Sequence, residues 1–292
     1  MKIQNIYVNT PLRDYEVKID WRSIMNYAAA IEDDNPIYFD DEREDDIVAH
    51  PVFIVAVTWP IIKNLEDYIL LDKFPTKVLK TVVHYTEHIR LYRSIKPKDS
   101  LIIKGKIVAM LSHRSGTHII LRLDAFDTNK YPVFTEYTGA MLRNVNLIGE
   151  DMGISNIPKI PLIGENLKPL WKKIITIDRL RPYIYDGCTD IVFPIHTSNK
   201  FAHFVGLPGI ILQGTATLAY AVKELVNNET QRNPSLVEEI SCKFTGMVIP
   251  GTDIEIHLNK RNEIKEKKEL YFEVFNNKGR KAITNGYLAI KK

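Results

Sequence analysis

One short phrase occurs twice in the chain, and the side chains able to move protons are divided between its copies. The first copy runs from Tyr27 through Asp33, Asn35, Pro36, Ile37 and Tyr38 to Asp40. The second runs from Tyr185 through Asp190, Ile191, Phe193, Pro194, Ile195 and His196 to Thr197. In each, a Tyr stands nine positions before a Pro-Ile pair, so the copies register without a gap at an offset of 158 (185 minus 27). An imidazole is the natural general acid or base near neutral pH, and a neighbouring carboxylate can orient it or share its proton. The second copy holds His196, with Asp190 six positions before it, but carries Ile191 and Phe193 where the first has Asp33 and Asn35. The first keeps the acid and the amide but has Tyr38 in the histidine's place. A phenol with a pKa near 10 is a poor base at neutral pH.

The repeat predicts the elements that must hold these residues. Each phrase leads through a Pro-containing turn into an apolar segment: Val48 to Phe53 and then 54–70 in the first half, Gly206 to Thr215 and then 216–226 in the second. Leu218, Ala221, Val222 and Leu225 recur at helical spacing, so each half is expected to hold a long apolar helix, buried on most sides. Alternating β-type text follows. It covers 78–91, 100–111, 118–126 and 133–143 in the first half, and 236–244, 253–260, 268–275 and 281–291 in the second. Alternation of the kind Ile254, Ile256, Leu258 marks half-buried antiparallel strands. Residues 149–168, with Gly, Asn and Pro, read as a linker. The expectation is α+β: residues 1–148 and 169–292 as two copies of a helix wrapped by a bent antiparallel sheet. Such units can pair edge to edge within one chain.

Composition narrows the function classes. The chain has 292 residues, is 45% hydrophobic and carries a net charge of +3, so material for a core is ample and no nucleic-acid face is implied. The densest basic run, Lys260 to Lys268, is broken by Glu263 and Glu266 and reads as a hairpin loop. Cys188 and Cys242 lack paired spacing, the first residues lack a signal-like apolar core, and no uncharged apolar stretch reaches the ~18 residues of a membrane span. A cytoplasmic protein with no membrane contact is expected. His84 and His88 fall on one side of a β segment, yet no third ligand has metal-site spacing nearby. Neither a phosphate-binding glycine loop nor a nucleophile elbow occurs.

Several of these segments, in order, resemble the MaoC-like (hydratase 2) double-hotdog family. They are Tyr-x(7)-Asn-Pro-Ile-x-x-Asp with Val-Ala-His-Pro, Pro-Ile-His-Thr with Gly-Leu-Pro-Gly-Ile-Ile-Leu-x-Gly-Thr-Ala, and Phe-Thr-Gly-Met-Val-Ile-Pro-Gly-Thr from Phe244 to Thr252. The resemblance implies a hydro-lyase that reversibly adds water to a trans-2-enoyl thioester with (R) specificity. It implies a degenerate first half, a catalytic second half, an acyl-CoA partner and a homodimer or higher homo-oligomer. Coenzyme A enters only as part of the substrate, and neither a metal nor a redox cofactor is expected. Such chemistry needs a base near the β-carbon, a proton for the α-carbon and donors for the thioester oxygen.

Carried over residue by residue, the resemblance assigns catalysis to His196, with Asp190 assisting and the backbone of Gly214 as oxyanion donor at the start of a helix. Tyr185, Phe193, Gln213, Thr215, Asp33, Asn35 and Tyr38 are its candidate substrate-binding positions. Departures are plain: Ile191 stands where the family has an Asp, Phe193 replaces an Asn, and Gln213 replaces a histidine. Two other readings stay open. One is a thioesterase using Asp33 or Asp190 to activate water. The other is a non-catalytic acyl-thioester-binding or partner subunit, for which Phe193 and Gln213 speak.

Overall fold

The computed structural model describes residues 1–292 except 72, 73, 163, 165 and 166. The first half contains strands β1 (Lys2–Gln4) and β2 (Tyr15–Lys18), then helices α1 (Trp21–Ala30), α2 (Ile54–Lys63) and α3 (Leu65–Tyr68). Strands β3 (Val82–Leu91), β4 (Ser100–His113), β5 (Gly116–Asp127), β6 (Pro132–Arg143) and β7 (Asn146–Ile148) follow. The second half repeats the order: β8 (Trp171–Ile177), α4 (Arg181–Thr189), α5 (Asn199–Phe204), α6 (Gly214–Glu229), then β9 (Val237–Phe244), β10 (Thr252–Ile264), β11 (Lys267–Asn276) and β12 (Lys281–Lys291). All eight strands expected from alternation are present. The first starts later than its text, because 76–81 forms a 3-10 turn.

Ten strands make one antiparallel sheet in the order β2-β4-β5-β6-β3-β9-β12-β11-β10-β8. The sequence of partners reads the same from either edge once halves are exchanged, which is the mark of a pseudo-twofold axis. The axis runs through the seam, where Thr86 pairs with Lys243, Ile89 with Ile240 and Arg90 with Glu239. This pairing removes one exposed edge from each half. The expected basic hairpin loop of 260–268 is mostly strand: β10 and β11 pair down to Ile264 and Lys267, leaving only Lys265 and Glu266 as the turn.

The central helices differ between halves. Helix α6 is buried on almost every side, from Thr215 to Val222 and from Glu224 to Val226, and packs on β9 and β12. Alanines at 216, 219 and 221 let the sheet approach closely. In the first half the expected single helix over 54–70 is broken. Asn64 ends α2 by donating both its backbone N–H and its Nδ2 to the Pro60 carbonyl, and α3 is a separate turn. Beside the seam, α1 packs on α4, and the Tyr27 and Tyr185 hydroxyls meet at 3.2 Å across the axis. Tyr27 also donates to the Val52 carbonyl, and Tyr185 bonds Thr215 Oγ1. Of the expected linker 149–168, residues 163, 165 and 166 lie outside the described ones. Its earlier part pairs with the sheet through Met152 and Met110.

Ile89 and Ile240 oppose each other at the seam and are fully buried. Replacing Ile89 with Ala should cost about 2–4 kcal/mol, measured by urea unfolding. The transition should stay single and cooperative, because one sheet joins both halves. Two separated transitions would contradict that account.

Candidate active site

Three segments distant in sequence are tied together around His196. Pro194–His196 forms a 3-10 turn. Ile211 N–H donates to the Ile195 carbonyl, and Leu212 N–H donates to the Val248 carbonyl, so the turn, the residues before α6 and the Phe244–Thr252 segment share one backbone network. His196 joins it through Nδ1, 2.8 Å from the Ile211 carbonyl oxygen. A carbonyl only accepts, so Nδ1 carries the ring proton and Nε2 keeps its lone pair. Burial pushes the ring down to about 4, against which the bond to Ile211 acts weakly. The imidazole is therefore neutral at physiological pH, with Nε2 in the state a base requires.

The helix that starts next supplies the opposite electrostatics. Gly214 is the first residue of α6, so its amide and those just after it have no partner within the helix, and the helix dipole adds positive potential there. A Cβ at Gly214 would lie 3.1 Å from Phe244 Cδ1, so the glycine is what lets that ring approach the helix end. Phe193 stands beside His196 with ring centroids 6.4 Å apart and also contacts Phe201. Both Phe193 and Gly214 are half-buried, leaving an opening along this face.

Other expected site residues are placed elsewhere. Asp190 ends α4 in a left-handed conformation (φ 57°), its side chain exposed. That backbone turns the carboxylate to solvent, and no carboxylate among the described residues pairs with the His196 ring. The expected Asp190–His196 partnership is not formed. Gln213 is 1% exposed and donates to the Pro182 carbonyl, while Tyr185 and Thr215 are buried in the chain that leads to Tyr27. These three support the loop from behind instead of facing an opening.

The first half's copy is closed. Tyr38 is fully buried with its ring 5.9 Å from His50, and Asp33 is 2% exposed. Asn35 uses its side chain on the Ile37 amide and the Arg232 carbonyl. Arg181 clamps the same loop through Ala30 and Glu32, and Lys223 through the Ile31 and Glu32 carbonyls. Asp33, Asn35 and Tyr38 therefore have no exposed surface with which to bind substrate. The phenol fills the space and the second half caps it. Asp33 Oδ2, Tyr38 Oη and His50 Nε2 are left without partners, and burial raises the Asp33 carboxyl to about 6.

One cluster was not read from the sequence. His84 Nε2 lies 2.9 Å from Glu87 Oε2, and Glu136 on β6 shares the same buried space. A β-bulge between His84 and Thr86 defeats the simple alternation. His84 turns to Glu87, whereas His88 faces Glu239 at 3.3 Å, so the two histidines do not form a pair. The available signal was Glu87, an acid alternating with Val83, Tyr85, Ile89 and Leu91 in the strand text. Among the described residues no cluster of three or more His, Cys, Asp or Glu could hold a metal.

A bent antiparallel sheet around a buried helix, duplicated about a pseudo-twofold axis with an imidazole at one helix start, defines a double-hotdog protein. Residues 168–280 match the family described as MaoC like domain, and residues 8–134 match the FAS1-like, dehydratase domain region. The two matches together span most of the chain, which is thus similar in both halves to dehydratase domains. It is 19% identical over 278 residues to the peroxisomal multifunctional enzyme type 2 of Drosophila melanogaster, covering 92% of this chain and 45% of that protein. To the peroxisomal enoyl-CoA hydratase 2 of Arabidopsis thaliana it is 23% identical over 181 residues, or 58% of this chain and 57% of the relative. The chain thus spans about half the length of these curated relatives. The crystal structure of a MaoC-like dehydratase from Phytophthora capsici superposes with a TM-score of 0.83, at 18% identity and 98% coverage of both chains. Among the described residues no helix is long and apolar enough to cross a membrane.

The buried groups set a pH optimum for stability. Burial lowers His50 to about 3, and His84, His88, His118 and His196 to about 4, from an ordinary 6.5. Below about pH 6.5 the unfolded chain binds protons that the folded one refuses, so stability falls as pH drops toward 4. Glu87 acts oppositely: burial raises it from 4.5 to about 8, so the folded state holds its proton and loses that advantage as pH rises toward 8. The Tm should peak near pH 6.5 and fall more steeply on the acid side. In Glu87→Gln the alkaline decline should flatten, as read by calorimetry across pH 4–9.

Proposed function

We propose that the chain catalyses reversible hydration of a 2-enoyl-CoA thioester, or equally the dehydration of an (R)-3-hydroxyacyl-CoA, with His196 as the general base. The observation that carries this reading is the fixed tautomer of His196 at the start of α6. Nδ1 is committed to the Ile211 carbonyl, and Nε2 is free to take a proton from water. The second half, 169–292, is the catalytic one, and the first half, 1–148, supports the acyl or pantetheine arm.

In this mechanism the thioester oxygen lies against the amide of Gly214, where negative charge develops as water adds to the β-carbon. The helix dipole of α6 stabilises the same charge. Phe193 and Phe244 give the acyl portion an apolar wall and exclude bulk water, which strengthens both interactions. His196 Nε2 accepts the water proton as the water oxygen bonds to the β-carbon and the π pair moves toward the thioester. The imidazolium then returns that proton to the α-carbon, so one water is added and His196 ends neutral. No step calls for a metal or a redox cofactor. The relatives' names, peroxisomal multifunctional enzyme type 2 and enoyl-CoA hydratase 2, favour this reaction class.

The test is loss of enoyl absorbance from crotonyl-CoA. His196→Ala should lower kcat/KM by about 100-fold or more, whereas Asp190→Asn should stay within about twofold because its carboxylate never meets the ring. Equal activity in wild type and His196→Ala overturns the role of His196. Release of free thiol without hydration points to a thioesterase, and tight thioester binding without turnover points to a binding subunit.

A further inference from the structure

The face of the sheet turned away from the central helices carries a small core of its own. Val108, Ala109 and Ile120 are buried there as a cluster separate from the main core, with Leu111, Tyr137 and Ile157 packed on it. Neighbours in β5 show the two faces: Ile119 and Leu121 join the main core, and Ile120 between them points the other way. The segment after β7 covers this second face. It is held by the Met152–Met110 bridge and by Asn156 Nδ2, which donates to the Val108 carbonyl. Gly153 has a left-handed backbone (φ 84°), and a Cβ there would collide with the Val108 oxygen, so glycine is what lets the segment lie so close.

Past Ile157 the cover lifts off, and a cavity of about 370 Å³ opens between it and the sheet. Pro158, Ile160 and Leu162 form the roof. The floor follows one register row, in which Ile120 faces Gly139, Gly139 faces Thr86 and Thr86 faces Lys243. A Cβ at Gly139 would collide with both Thr86 Oγ1 and His118 Nε2, which lie 3.1 Å apart, so the missing side chain keeps the floor low. Leu162 is 75% exposed although it lines the cavity, which leaves an apolar side chain standing at the mouth.

The two ends of the cavity differ in charge. Lys243 is half-buried at one end, and no carboxylate among the described residues pairs with it. Burial pushes His88 and His118 down to about 4, so both line the cavity as neutral rings; the nearby Lys243 ammonium adds to the effect on His118. The cavity's acid, Asp151, is at the opposite end, where its Oδ1 accepts from the Ser112 amide on β4 at 2.6 Å. From β4 to β9 is four steps in the sheet order, about 19 Å at a spacing of about 4.8 Å. Glu239, also on β9, is engaged by His88 Nε2 at 3.3 Å and lies opposite Arg90.

An unpaired ammonium at one end of an apolar slot suits a ligand with an anionic head and an apolar body. From Lys243 to Ile120 is three strand steps, about 14 Å, which matches a medium-chain carboxylic acid laid across the strands. A polyphosphate head would meet a single lysine here and the Asp151 carboxylate beyond it.

We propose that this cavity binds a free medium-chain fatty carboxylate, its head on Lys243 and its chain under Ile160 and Leu162. The site is separate from the His196 opening, because the sheet stands between them: α6 packs with Ile240 and Cys242 on the inner face, and Lys243 points outward. A thioester carries no charge for Lys243, so the free acid is the form that the cavity selects.

Isothermal titration with decanoate, below its micelle concentration, tests the proposal, with decanol as the uncharged probe of equal chain length. Wild type should bind one decanoate per chain and hold decanol about tenfold more weakly. Lys243→Gln should weaken decanoate by about tenfold and leave decanol unchanged. Leu162→Asp, at an exposed position outside the sheet, should weaken both probes by about tenfold. Absence of decanoate binding to wild type overturns the proposal. So does equal affinity in wild type and Lys243→Gln, which puts the ligand elsewhere, and so does decanol bound as tightly as decanoate. Should Lys243→Gln not fold, Leu162→Asp decides: unchanged decanoate affinity overturns the site. None of these readings uses crotonyl-CoA turnover, so the outcome is independent of the hydratase reading.

Discussion

The antiparallel pairing of β3 with β9 is the contact on which the rest of this molecule depends. Each half alone would end in an open strand edge with unpaired N–H and C=O groups, and its helix would be roofed by a half-sheet. Joining the edges builds one ten-stranded sheet whose order is symmetric about the seam. It also places residues of one half against the other's helix. Ile89 and Ile240 become core, the Tyr27 and Tyr185 hydroxyls meet on the axis, and His84 reaches Phe244. The bulge next to His84 belongs to the same strand, and it sends that ring inward to Glu87 while His88 keeps a different neighbour.

The two copies of one phrase have different surroundings in the structure. In the first copy a phenol fills the site, and the loop is tied down by Arg181, Lys223 and Arg232 from the other half. The loop is closed at its own position and serves as a brace. In the second copy the imidazole keeps a half-open position, and its network runs through main-chain atoms. Main-chain bonds do not depend on side-chain identity, so that geometry forms with Ile191 and Phe193 where the first copy has Asp33 and Asn35. A neutral histidine held by a carbonyl needs no acidic partner to fix its tautomer.

Much of the architecture was legible in the residues. Alternation located eight strands, because a half-buried strand must place apolar side chains at a period of two. The repeated Tyr and Pro-Ile positions correctly related the halves, and the Ala-rich run located α6. Three features were missed for identifiable reasons. The first half's helix breaks at Asn64, where side-chain capping overrides an apolar run. The short elements α1, α4 and α5 lie outside the apolar runs that were followed, although Asp20 caps α1 and Ser198 caps α5. A bulge shifts the phase of β3 by one residue, which no alternation pattern can announce.

The sequence by itself determined the repeated phrase, eight of the strands and the central helix of the second half, and it set a histidine in the second copy where the first has Tyr38. Those are properties of local pattern and of residue type at fixed spacing. Only the tertiary structure decided which side chains meet. It turned Asp190 away, sealed Asp33 and Tyr38, gave His196 its tautomer through the Ile211 carbonyl, and set His84 on Glu87 beside Phe244. Each of these outcomes rests on a backbone direction or a cross-seam contact between residues far apart in the chain, and a linear pattern carries no record of either.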